Sequence, residues 1–261
     1  MKIAAVLSGK HLVGELRGRI EANCRRLADS LVPTKKCRDP TKRAGVMSIK
    51  GPRPNNEDSA AVAINIVEDT VYGLVAIADG VGGKERGEEA SAVAICHVLQ
   101  KFQLGGPYDE EWLLALFHET NETVKKSAHG GATTLSVGIL DFGIGRILAA
   151  NVGDSPLYLI DLDTKNIADL TPNRDEYQKY ITQAVGDKTY RGPHILKTNM
   201  PADSRMILLG VTDGVDDFIP RGAYLTLAQE PSPLRYVCSL LKNVKEKTRD
   251  NATAAAFYVG V

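Results

Sequence analysis

Acidic residues stand beside glycine or asparagine at five places along the chain: Asn56-Glu57-Asp58, Asp79-Gly80, Gly153-Asp154, Asp213-Gly214 and Asp250-Asn251. Taken singly, each is ordinary turn chemistry, because Asp, Asn and Gly are the residues that turns favour. Two of the five carry more. Residues 76–83, Ala-Ile-Ala-Asp-Gly-Val-Gly-Gly, set a carboxylate after an apolar strand and follow it with three glycines in four positions. The pattern of apolar strand, Asp-Gly and a second acid returns at 207–217, Ile-Leu-Leu-Gly-Val-Thr-Asp-Gly-Val-Asp-Asp. Glycine lets the main chain approach a bound ion closely and leaves its carbonyl available as a ligand. Carboxylate and carbonyl oxygens are hard ligands that suit Mg²⁺ or Mn²⁺, not zinc. Two like charges about 4 Å apart repel by roughly 4 kcal/mol at an effective dielectric of 20, so carboxylates gathered from these places call for cations.

Other chemistries are poorly served. Cys37-Arg38-Asp39-Pro40-Thr41-Lys42-Arg43 satisfies a bare C-x5-R spacing. A phosphate cradle needs inward-pointing N–H groups, though, and here Pro40 has none, the loop lacks glycine, and Lys36 replaces the usual preceding histidine. The glycine-rich stretch at 80–87 contains no GxxxxGK[ST], which excludes an ATP-binding P-loop. Cys24, Cys37, Cys96 and Cys238 lie far apart with no CxxC pair, so neither a zinc site nor a disulfide framework is expected. His97 and His118 fall in predicted helices and His194 in a predicted strand, where packing or surface roles are expected; His129 is a loop residue with no evident partner.

The elements that must position the acids follow from hydrophobic period and punctuation. β-branched or alternating segments at 44–49, 58–67, 71–78, 132–140, 145–152, 155–161, 166–170, 194–199, 205–212 and 252–259 read as strands, with a hairpin turn at Asp163 to Asn166. Helices are predicted over 85–103, burying Ala90, Val93, Ala94, Val98 and Phe102, and over 109–127, which opens on Asp109-Glu110-Glu111 and stripes Trp112, Leu113, Leu116, Phe117 and Val124. Further helices are expected at 174–180, 221–229 and 233–247. Strands arriving as neighbours, with helices in consecutive pairs, argue against a doubly wound parallel sheet and for an α+β fold with an antiparallel β-core between helix layers.

With 261 residues, 43% hydrophobic and 25% charged, the chain suits one large globular domain. No apolar run approaches the roughly 18 residues of a membrane span, and Ile3-Ala4-Ala5-Val6-Leu7 is too short for a signal-peptide core, so a soluble, cytoplasmic protein is expected. The zero net charge hides a division: residues 1–50 carry 12 Lys/Arg against 4 Asp/Glu, leaving 20 against 28 for the rest. Leu16, Ile20, Leu27 and Leu31 have amphipathic-helix spacing among arginines, Pro33 stops that helix, and polar residues 34–43 read as a linker, which divides the chain into 1–43 and 44–261. A basic arm on an acidic body can dock on that body, on an anionic partner, or on nothing. It lacks the aromatic interleaving or reader motif of a nucleic-acid binder.

The ordered motifs resemble the protein phosphatase 2C family, the metal-dependent Ser/Thr phosphatases, over roughly residues 44–261. Arg53-Pro54-Asn55-Asn56-Glu57-Asp58 matches the family's Arg, three residues, Glu-Asp, and Ala78 to Gly83 matches its first Asp-Gly motif. Gly131-Ala132-Thr133-Thr134, Asn151 to Ser155, Thr182 to Asp187, Thr212 to Asp217 and Arg249-Asp250-Asn251 match five more, in family order. The resemblance implies an α-β-β-α four-layer fold, a phosphorylated protein as substrate, a monomer, and two Mn²⁺ or Mg²⁺ ions. Asp79 would bridge the two, Glu57 and the Gly80 carbonyl would complete one, and Asp213 and Asp250 the other. Arg53 would hold the substrate phosphate as a planar fork of donors. Such a cation pair binds one water, lowers its pKa and aims the hydroxide in line at phosphorus. Asp154 and Asp217 match positions that bind a third, weaker metal in bacterial members, with turn folding and helix capping as their alternatives; Asp58 and Asp216 are assigned supporting roles.

Two departures from the family pattern stand out. Val81 occupies the place where many eukaryotic members carry a histidine that protonates the leaving alkoxide, so that proton must come from elsewhere, a metal-bound water being the candidate. Residues 171–181 leave room for only a short flap. The alternative from another class is a catalytically silent relative acting as a binding module; such relatives typically lose metal ligands or the phosphate arginine, and this chain keeps all of them.

Overall fold

A computed structural model describes residues 43–82, 86–172, 181–200 and 204–260. The predicted helices at 16–31 and 174–180 lie outside the described residues, as do Cys24 and Cys37. Among the described residues, ten strands form two antiparallel sheets. One has the order β1 (Ala44–Ile49), β10 (Ala252–Val259), β9 (Met206–Val211), β6 (Leu157–Asp161), β7 (Asn166–Asp169). The other runs β2 (Asp58–Val67), β3 (Thr70–Asp79), β4 (Leu135–Asp141), β5 (Arg146–Val152), β8 (His194–Asn199).

Alternation sorts successive side chains of each strand into different layers. Ala60 and Val62 of β2, Val75 and Ile77 of β3, and Ala255 and Phe257 of β10 meet between the sheets. Their neighbours Ala61 and Ala63, with Leu74, Ala76 and Ala78, point outward onto helices α1 (Gly87–Leu104) and α2 (Glu110–Ser127). On the opposite side Ala252, Ala254, Ala256 and Tyr258 of β10 pack toward a layer containing α3 (Asp213–Asp216), α4 (Arg221–Leu227) and α5 (Pro233–Val244). The result is the expected four-layer α-β-β-α sandwich. Because both faces of the central strands are covered, they read as near-continuous apolar runs.

The helices bury most of the stripes that the spacing predicted: Ala90, Val93, Ala94, Val98 and Phe102 on α1, and Leu113, Leu116, Phe117 and Val124 on α2, whereas Trp112 of the α2 stripe is only partly buried. Asp109 caps α2, its side chain accepting the Trp112 N–H at 2.8 Å. Two local features differ from the sequence reading. Residues 132–134 are not part of β4; Thr133 instead bridges Gly80 and Val185. The second Asp-Gly motif starts a helical turn, α3, in which Val215 and Asp216 donate to the Thr212 carbonyl at 2.9 and 3.1 Å. A four-residue helix is too short to leave a periodic signature.

Candidate metal-dependent active site

Antiparallel pairing brings the separated acidic positions together. β2 begins at Asp58 and β3 ends at Asp79, and these two residues are direct cross-strand partners. β5 ends just before Gly153-Asp154, β9 just before Thr212-Asp213, and β10 begins just after Asp250-Asn251. Their proximity registers electrostatically. The Asp79 carboxyl is pushed well above the usual carboxylate range, first by burial and then by the charges of Asp58, Asp213, Asp154 and Asp250. Burial followed by the Asp250 charge raises Asp213. Glu57 is raised by burial against the opposing pull of Arg53. These carboxyls are held where ionisation is unfavourable.

Asp58 is the most enclosed of the set. It is 1% exposed, and its Oδ2 accepts from Thr212 Oγ1 at 2.9 Å and Thr253 Oγ1 at 2.7 Å, tying β2 to the opposite sheet. Burial outweighs these hydrogen bonds, and the carboxyl is pushed up to about 7. Its second oxygen, Asp58 Oδ1, is buried without a hydrogen-bond partner, as is Asp213 Oδ1. A buried, unpartnered carboxylate oxygen is costly, and two of them beside raised carboxyls fit a site built for hard cations.

The main chain is fixed around these acids. Asp79 N–H donates to Thr134 Oγ1 at 2.9 Å, and its carbonyl accepts from Thr134 N and Thr133 Oγ1, both at 2.8 Å. Glu57 C=O accepts from Gly80 N at 3.1 Å and from Ser91 Oγ of α1 at 2.5 Å. Both Asp-Gly glycines are forced by packing. A Cβ at Gly80 would sit 2.6 Å from the Gly87 carbonyl at the start of α1, and one at Gly214 only 1.8 Å from the Asn251 carbonyl oxygen. The glycines seat each aspartate against a neighbouring backbone, a constraint that strand-Asp-Gly spacing alone does not reveal.

Arg53 lies at the rim, beside Gly82. Its Nη2 pairs with Asp250 Oδ2, and its Nε reaches the Arg249 carbonyl at 3.4 Å. One oxygen of Asp250 is thereby occupied. Among the described residues no three acidic, His or Cys side chains converge on one ion-sized point. The structure gathers Glu57, Asp79, Asp213 and Asp250 as neighbours, with Arg53 drawn onto the last of them.

Of the remaining acids, Asp154 is half-buried and within electrostatic reach of Asp79. Asp217 is exposed and follows α3; the next helix, α4, has Pro220 at its N-cap, so Asp217 does not cap it. Asp216 accepts from Tyr158 OH at 3.0 Å and Tyr224 OH at 2.7 Å within the outer layer. Val81 makes a main-chain bond to the Ala132 carbonyl at 2.9 Å and has no proton to offer from its side chain. Thr134 and Thr212 lie inside motifs quoted from the sequence but were given no role there; Thr253, two residues past Asn251, and Ser91 were not singled out, and for Ser91 no signal existed.

A family model described as "Protein phosphatase 2C" matches residues 53–255, which contain every acid of this cluster. This chain belongs to the protein phosphatase 2C family. It is accordingly a metal-dependent serine/threonine protein phosphatase, acting on phosphoproteins. No curated protein matches the chain. Among solved structures it is similar to the serine/threonine phosphatase Stp1 from Staphylococcus aureus, with a TM-score of 0.69 at 20% identity, covering 87% of this chain and 99% of that one. The serine/threonine phosphatase PstP/Ppp of Mycobacterium tuberculosis matches at a TM-score of 0.64 and 23% identity over 82% of this chain and 97% of that one. The catalytic domain of PstP in complex with 2 manganese ions matches at 0.66 and 24% over 83% and 98%. These likenesses establish that this protein phosphatase 2C chain shares their fold.

Proposed function

We propose that the acidic end of the sandwich holds two divalent cations, Mn²⁺ or Mg²⁺, and that the site hydrolyses phosphoserine and phosphothreonine in proteins. Asp79, at the centre of the cluster, would be shared by the pair; Glu57 and the Gly80 carbonyl would serve one ion, Asp213 and Asp250 the other, and Asp154 with Asp217 would offer a weaker third position. A bound pair supplies Lewis acidity that ionises a water near neutral pH and offsets charge on the phosphoryl oxygens.

The chain's own residues do the rest. Thr133 and Thr134 fix the Asp79 main chain, and the buried Asp58 keeps the two sheets in register behind it. Arg53, whose guanidinium pairs with a carboxylate at the rim, exchanges that partner for two phosphoryl oxygens and stabilises their developing charge. Val81 leaves the departing alkoxide to be protonated by solvent. The basic segment of residues 1–43 serves docking, on an acidic partner or on its own domain. The monomer and a cytoplasmic site of action belong to this same reading.

The observation that carries it is the Asp79 carboxyl, raised by its burial and then by the charges of four other aspartates at one end of the fold. Hydrolysis of a phosphoserine peptide should require Mn²⁺ and be abolished by Asp79→Asn. A chain that binds Mn²⁺ normally yet turns over no phosphopeptide would overturn the enzymatic reading.

A further inference from the structure

Asn251 stands next to Asp250 but belongs to no ligand set. Its side chain is nonetheless fully committed. Nδ2 donates to the Lys50 carbonyl at 2.7 Å and the Asn55 carbonyl at 2.8 Å, while Oδ1 accepts the Glu57 N–H at 2.8 Å. An amide has two N–H donors and one carbonyl, so every group is used. The three main-chain partners bracket the loop from the end of β1 to the start of β2, and Arg53 lies between them. The Asn251 main chain is committed as well: its N–H donates to Asp250 Oδ1 at 2.8 Å, and its carbonyl oxygen is the surface against which Gly214 packs. Asn251 is 4% exposed. One residue thus ties the loop of Arg53 and Glu57 to Asp250 and to the turn of Asp213.

We infer that Asn251 is a positioning residue for the phosphate subsite, holding Arg53 and Glu57 at a fixed offset from Asp250. This rests on the phosphatase reading of the site. No other described side chain bonds to the main chain of both Asn55 and Glu57, so losing the amide removes three bonds across the two ends of the arginine-bearing loop at once, leaving the Glu57 carbonyl on Gly80 N and Ser91 Oγ and Asn56 Nδ2 on Ser48 Oγ. Misplacement of a binding group by about 1 Å can cost on the order of 100-fold in rate. Asn251→Asp keeps the shape but turns an oxygen toward two carbonyls, and should be no better than Asn251→Ala.

The test needs a variant with a matched structural loss elsewhere, and the other end of β2 supplies one. Asn65 is 3% exposed and donates through Nδ2 to the Phe102 carbonyl at 2.8 Å and to Tyr108 OH at 3.0 Å. Asn65→Ala removes comparable bonds far from the cluster. Inorganic phosphate binding to the Mn²⁺-loaded full chain is measured by calorimetry well below each variant's melting temperature, with phosphopeptide turnover recorded in parallel. N251A and N251D should bind phosphate at least about tenfold more weakly, the equivalent of one lost hydrogen bond, while N65A binds as wild type despite its lowered melting temperature. Asn251→Ser replaces N251A if the latter does not fold. Wild-type phosphate affinity in the Asn251 variants, or equal weakening in N65A, would overturn the inference. Absent turnover in a wild-type chain that still binds phosphate would instead overturn the phosphatase reading.

Discussion

Arg53 and Asp250 illustrate how one side chain can serve two partners. Their ion pair is substantially exposed, with Arg53 at 46% and Asp250 at 33%, so it contributes little to stability. Its consequence is competition, because an oxygen engaged by the guanidinium is withheld from a cation. Arg53→Ala should therefore raise KM for a phosphopeptide while tightening Mn²⁺ binding in a calorimetric titration; weaker Mn²⁺ binding would show that Arg53 supports the cation site instead of competing for it. At this scale the acids were legible, because Asp beside Gly after an apolar strand is unusual when repeated. The hydroxyls and the amide that hold them were not. Thr212 meets Asp58 across 154 positions and Asn251 meets Glu57 across 194, and nothing local in a sequence marks such a bond.

At the level of elements, the acids are placed by where strands end and by how closely the next backbone approaches. Gly80→Ala would drive a methyl into the Gly87 carbonyl carbon and oxygen, each 2.6 Å away, so either Asp79 or the start of α1 must shift. The expected result is a loss of about 100-fold in kcat/KM with the fold retained by circular dichroism. Asp109→Ala is the contrasting case: removing the α2 cap should cost about 1 kcal/mol in denaturant unfolding and leave catalysis unchanged. Strand and helix positions were legible within a few residues because alternation and helical stripes are strong in this chain. The turn of α3 and the bridging role of Thr133 were not, since each depends on one or two main-chain bonds to a distant segment.

For the whole molecule, the two-sheet topology is what the sequence could not supply. β1 pairs with β10, Ala44 opposite Phe257, although nearly the entire described chain separates them. That closure brings Asp250 to the start of β2. It also gathers carboxyls at a cost that depends on pH. Glu57, Asp58, Asp79 and Asp213 are all raised in the folded state, Asp58 to about 7. Between the ordinary carboxylate range and these raised values the metal-free native chain binds more protons than the unfolded one, so its stability falls as pH rises through that window. Cations favour the ionised forms and oppose the fall. Melting temperatures from pH 4.5 to 7.5 should show Mn²⁺ stabilisation growing with pH; stabilisation independent of pH would contradict the assignment. Because every residue assigned to the cluster lies between Arg53 and Asp250, removing residues 1–42 should leave hydrolysis of a small phosphate ester unchanged.

The central claim is that these acidic strand ends form one site for a pair of cations, with Asp79 common to both. Mn²⁺ stoichiometry of the metal-free chain, followed by electron paramagnetic resonance, tests it directly. Two ions per wild-type chain, falling to one or none in Asp79→Asn, is the predicted result. A wild-type chain that takes up no Mn²⁺, or an Asp79→Asn chain that still takes up two, would contradict it.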